Sequence, residues 1–148
     1  MTSHYRMLAL NLAISVLIMY LVMFSMIDGV ADFYHNLNTF YMALMMVAPM
    51  AILMVAMMGS MYPNRRLNLA IYAGFAVLFV LACAAVRWQA GIGDRQFIRS
   101  MIPHHSGAIL MCREASLRDS ELRSLCASIS TGQRAEIEQM ERIAARLR

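Results

Sequence analysis

No lysine occurs in the 148-residue chain: all thirteen basic side chains are arginine. Ten of them lie beyond residue 86, interleaved with seven acids. That mixture describes a solvated surface and excludes a basic stripe for nucleic acid. No nucleophile, base and acid stand in a recognisable arrangement, and neither a phosphate loop nor a dinucleotide fingerprint appears. Glu-x-x-His is also missing, and a di-iron bundle needs that pair together with about four inward carboxylates. Glu114, Glu136 and Glu138 are too few for it in one copy. The balance is therefore towards a binding protein over an enzyme.

Charge is absent from three long stretches, residues 7–27, 40–62 and 69–86. Each has the roughly 18–25 residues needed to cross a hydrocarbon core. Hydrophobic residues make up 60% of the chain, too many for an ordinary soluble domain. We expect an all-α membrane protein with three transmembrane helices in residues 1–90. The first run exceeds the apolar core of a secretory signal and reads as an anchor. Arg65 and Arg66 occupy the short loop between the second and third runs, while residues 28–39 carry two Asp and no Arg. The positive-inside rule then places the N-terminus in the cytoplasm and the C-terminal part outside, in the periplasm of a cell with two membranes.

Residues 91–148 are expected to form an extramembrane pair of antiparallel helices. Asp94 is the expected N-cap of the first, over residues 94–116, with Phe97, Met101, His104, His105, Ala108, Met111, Cys112 and Ala115 facing inward. A turn near residues 117–120 leads to the second, which runs to about residue 147. Centring that turn sets Cys112 opposite Cys126, His104 and His105 near Gln133, and Met101 near Glu136 and Met140. Such a pair of about 55 residues cannot bury its own core and should pack on a second copy.

The chemistry concentrates in Met101-Ile102-Pro103-His104-His105-Ser106-Gly107-Ala108-Ile109-Leu110-Met111-Cys112. At about 100° per residue, Met101, His105, Ala108 and Cys112 form one line, with His104 and Met111 close beside it. Thioether, imidazole and thiolate donors together suit Cu(I). Adjacent histidines on an apolar face are costly without partners, which weighs against a purely structural cluster. The expected ligands are Met101, His104, His105, Met111, Glu136 and Met140, with Cys112, Cys126 and His35 as weaker candidates. Cys112 and Cys126 could instead form a disulfide, and that pairing is the favoured one. The second apolar run holds eight methionines, from Met42 to Met61. These read as either a thioether ladder or adaptable packing, with packing favoured. Asn11 is expected to bond between helices.

The motif Asp94-x-x-Phe97-x-x-x-Met101-Ile102-Pro103-His104-His105-x-x-Ala108-x-x-Met111, followed by Gln133-x-x-Glu136-Ile137-x-x-Met140, resembles the DUF 305 family. The resemblance covers roughly residues 92–147. It implies a ferritin-like helical fold, a secreted or periplasmic setting, and for some members copper binding. The family positions fall here on Met101, His104, His105, Met111 and Met140. Many members carry the helical pair twice, and this chain carries it once, which favours a homodimer completing a four-helix bundle. The expected protein is a membrane-anchored copper-binding protein, in contact with membrane lipid and with no nucleic-acid partner. The competing reading is an accessory subunit of a larger membrane complex, in which the histidines make structural hydrogen bonds.

Overall fold

The computed structural model describes residues 2–147, and every regular element among them is helical. The elements are α1 (Thr2–Val22), α2 (Leu37–Met57), α3 (Arg65–Trp88), α4 (Asp94–Glu114) and α5 (Ser120–Arg146), with short 3-10 turns at Met23–Met26 and Val30–Asp32. Three stretches, His4–Met26, Leu37–Met57 and Arg65–Trp88, are long and apolar enough to cross a membrane. They overlap the three uncharged runs; the second ends at Met57, five residues short of the expected Tyr62, and the first and third extend over Arg6, Arg65, Arg66 and Arg87. The chain forms two compact units. One contains α1 and residues 38–90. The other contains Met23–Leu37 together with everything from Gly91 onward.

In the first unit, Leu8 and Leu12 of α1 pack with Val47, Ala51 and Val55 of α2 and with Tyr62. Ala43, Ala48 and Ala51 are fully buried, as expected where small side chains let helices approach closely. A polar knot closes one end. The Tyr5 hydroxyl donates to Asn68 Oδ1 at 2.9 Å and accepts from the Asn64 amide at 3.2 Å. Asn68 in turn donates to the Tyr62 carbonyl at 2.8 Å. The methionines of α2 and the turn after it divide. Met50 and Met54 pack on the core, whereas Met42, Met46, Met57 and Met58 are exposed. Asn11 corrects the expectation of an interhelical bond, since its side-chain oxygen accepts from Ser15 on its own helix.

In the second unit, α4 and α5 contact each other along their lengths, and α4 also touches both 3-10 turns. Contacts tie Arg95 to Leu147, His105 to Glu136 and Cys112 to Cys126, so the two helices run in opposite directions. The core is Ile98, Ile102, Ile109 and Ile137, with Tyr34, Met140, Ile143 and Leu147 packed against it. This corrects the expected inward face of α4. Phe97, Met111 and Ala115 are exposed, while Ile98, Ile102, Ser106, Gly107 and Ile109 are buried. The physical reason is a second partner: the segment Met23–Leu37 lies against α4 and draws the buried stripe round the helix. Gly107 permits that approach, because a Cβ there would sit 3.1 Å from the Met26 carbonyl oxygen.

The helix ends follow local chemistry. Gly93, not Asp94, is the N-cap of α4, and no side chain caps it. Asp94 sits one residue inside, where its negative charge still complements the helix N-terminus. Asp119 caps α5 by accepting from the Leu122 amide at 2.8 Å.

Candidate metal centre

His105 comes from the middle of α4 and Glu136 from the middle of α5. The His105 Nδ1 lies 3.0 Å from Glu136 Oε2, with the imidazole side chain 11% exposed and the carboxylate 57%. The distance suits an ion pair, yet Nδ1 is buried without a properly aligned hydrogen bond. One turn back along α5, Gln133 Oε1 is also buried and unpartnered. Orphaned buried polar atoms cost about 1–3 kcal/mol each. They are uncommon enough in folded chains to require an explanation.

Burial lowers the His105 pKa below the ordinary imidazole value; Glu136 opposes that shift and His104 adds to it. The folded chain therefore favours neutral imidazole, the form that ligates metals. His104 is exposed, and its ring lies 6.2 Å from that of His105 at a steep angle. Met101 and Met140 are half-buried on α4 and α5, whereas Met111 is 53% exposed. His35 is exposed and meets Phe33 edge-on at 4.9 Å. Cys112 and Cys126 are joined as a disulfide with Cα atoms 5.3 Å apart, so neither is a thiolate ligand here. Among the described residues, no three His, Cys, Asp or Glu side chains converge as a group able to hold a metal. His105 and Glu136 are a pair.

Ser106, Asp32 and Arg113 also carry structural roles that the donor pattern in the sequence does not mark. Ser106 Oγ is fully buried, donates to Asp32 Oδ2 at 2.5 Å and accepts from the Asp28 amide at 2.6 Å. Arg113 pairs with Asp28 and with Glu114. Gln96 accepts from the Leu37 amide at 3.1 Å. The bonds to Asp28, Asp32 and Leu37 seat Met23–Leu37 on α4. A signal was available, since Ser106 lies four residues beyond Ile102 on the same helical line.

These features define an all-helical protein with three membrane-length apolar helices and a histidine-bearing helical pair. The chain belongs to the family described as Domain of unknown function (DUF305), whose model matches residues 82–144. It is 34% identical over 118 residues to the Uncharacterized protein L153 of Acanthamoeba polyphaga mimivirus, covering 78% of this chain and 76% of that one. That alignment is longer than everything from residue 82 onward, so the likeness reaches into the apolar helices. No solved structure matches the chain.

Proposed function

We propose that the chain is a membrane-anchored copper-binding protein whose site centres on His105 in an antiparallel helical hairpin formed by α4 and α5. The observation that carries this reading is His105 Nδ1 lying 3.0 Å from the Glu136 carboxylate, with Gln133 Oε1 buried and without a partner one turn back along α5. A neutral imidazole nitrogen and a carboxylate both offer lone pairs that a cation would satisfy together. The residues fit a metal in that respect. His105 and Glu136 would hold it, with His104 and the thioethers of Met101 and Met140 as the softer donors; Met111 would join only from an outward position. Imidazole with thioether favours copper as Cu(I). The metal would supply one-electron redox capacity or simple cargo.

The anchoring part of the proposal rests on the three apolar helices. With three crossings, residues 27–36 and the C-terminal helices must fall on the same side of a bilayer. Their packing into one unit supports that topology. The Arg65–Arg66 end of α3 then lies in the cytoplasm and the hairpin outside. Leu122 and Leu125, 44% and 53% exposed on α5, support pairing with a second copy into a four-helix bundle.

The test is elemental analysis of full-length protein purified in detergent without chelators, followed by Cu(I) titration of metal-stripped samples. Copper at one per chain or one per two chains is expected, with affinity at least about tenfold lower in His104→Ala/His105→Ala and in Glu136→Gln. Copper-free protein that binds Cu(I) equally well in wild type and variants overturns the proposal. Stoichiometric co-purification with other membrane proteins, and no metal, would favour the subunit reading.

A further inference from the structure

An open cavity of about 380 Å³ lies beside the Cys112–Cys126 disulfide at the turn between α4 and α5. Arg113, Arg123, Ser130 and Arg134 line it, and no acidic side chain does. Arg123, Ser130 and Arg134 are spaced by seven and four residues, so they share one face of α5 within about 40°. The charge of Arg113 is already met by Asp28 and Glu114. Among the described residues, Arg123 and Arg134 form no ion pair. Two uncompensated guanidinium groups and a hydroxyl therefore share the wall of one concave, apolar-floored site.

We propose that this cavity binds a phosphate group. A guanidinium offers planar, paired N–H donors that match phosphate oxygens, and Ser130 adds a hydroxyl donor. The volume leaves room for the organic part of a phosphodiester. The position indicates its source. Asp28, which pairs with Arg113, lies two residues beyond Met26, the last residue of the first apolar stretch. If that stretch crosses a bilayer, as the functional reading holds, Asp28 and its partner Arg113 follow directly on its end, and the phosphate is that of an anionic lipid. The site itself does not depend on the metal.

The experiment uses full-length protein in detergent with two probes. Native mass spectrometry counts phosphatidylglycerol retained against phosphatidylcholine, and calorimetry reads inorganic pyrophosphate. Preferential retention of phosphatidylglycerol supports the lipid source, while binding of pyrophosphate alone supports the cavity with a soluble phosphate. In either case Arg123→Gln and Arg134→Gln should each weaken the probe roughly fivefold, and Arg142→Gln, whose arginine is outside the cavity, should not. Arg123 and Arg134 are both exposed, so the variants keep the fold, which an intact disulfide and an unchanged helical circular-dichroism spectrum verify. Failure of wild type to bind either probe, or equal binding by the Arg123→Gln/Arg134→Gln double variant, overturns the proposal.

Discussion

Replacing Ser106 by Ala should loosen the seat of Met23–Leu37 on α4 without touching the helix pair. The hydroxyl serves two partners at once: it donates to the Asp32 carboxylate and accepts from the Asp28 amide. A hydrogen bond to a charged group is worth about 1.5–3 kcal/mol, and an orphaned buried amide costs about 1–3 kcal/mol more. Asp32 is only half-buried, so water recovers part of that loss. The net expectation is about 2 kcal/mol, or roughly 30-fold in the local opening equilibrium. Amide hydrogen exchange on the full-length protein reads it directly, because the Asp28 amide loses its own acceptor and the following turn loses an anchor. Asp32→Asn in a double-mutant cycle should show coupling of about 1 kcal/mol with Ser106→Ala. Unchanged exchange across residues 28–33 in Ser106→Ala would refute the reasoning, since it would mean the segment is held by something else.

Ile102, fully buried at the centre of the α4–α5 core, should cost about 2–5 kcal/mol as Ile102→Ala in chemical unfolding. Thiol titration of the denatured, unreduced chain should find one reactive group, Cys83, because Cys112 and Cys126 are paired; three reactive thiols would contradict the pairing. Cys112→Ser/Cys126→Ser should lower stability by about 3 kcal/mol, as expected for a short closed loop. The metal-free chain should lose stability as pH falls. Burial lowers the His105 pKa in the folded state, so the unfolded chain takes up the proton first. The contribution is full above the ordinary imidazole value near 6.5 and is lost as pH falls through the lowered folded value. His105→Gln should flatten that slope in unfolding curves.

The apolar helices were legible because a run without charge leaves little choice of partner or length. Positions 69–86 sit inside α3, which extends to Arg65 and Trp88 through polar ends that hydropathy alone could not assign. The opposition of Cys112 and Cys126 was legible as well, since a short turn fixes register near itself. Register further from the turn drifted by about one helical turn. His105 meets Glu136 where Gln133 was expected, and Met140 packs on the isoleucine core. The orientation of α4 was the larger miss. A helical wheel assumes one apolar side and one partner, and the sulfur and imidazole donors were read as that side. Ile98, Ile102 and Ile109 mark a different side, and Ser106 and Gly107 record a contact with a segment some eighty residues earlier in the chain. Nothing in the local pattern of α4 identifies that segment.

The helix α5 is fastened near both extremities: Cys126 is bonded to Cys112, and the Leu147 carbonyl accepts from Arg95, with Nε at 2.9 Å. A helix advances about 1.5 Å per residue, so lengthwise creep by a single turn would carry the Glu136 carboxylate roughly 5 Å away from its imidazole. Two distant moorings thus work as a ruler, holding a carboxylate and an imidazole from separate helices in step although neither mooring touches them.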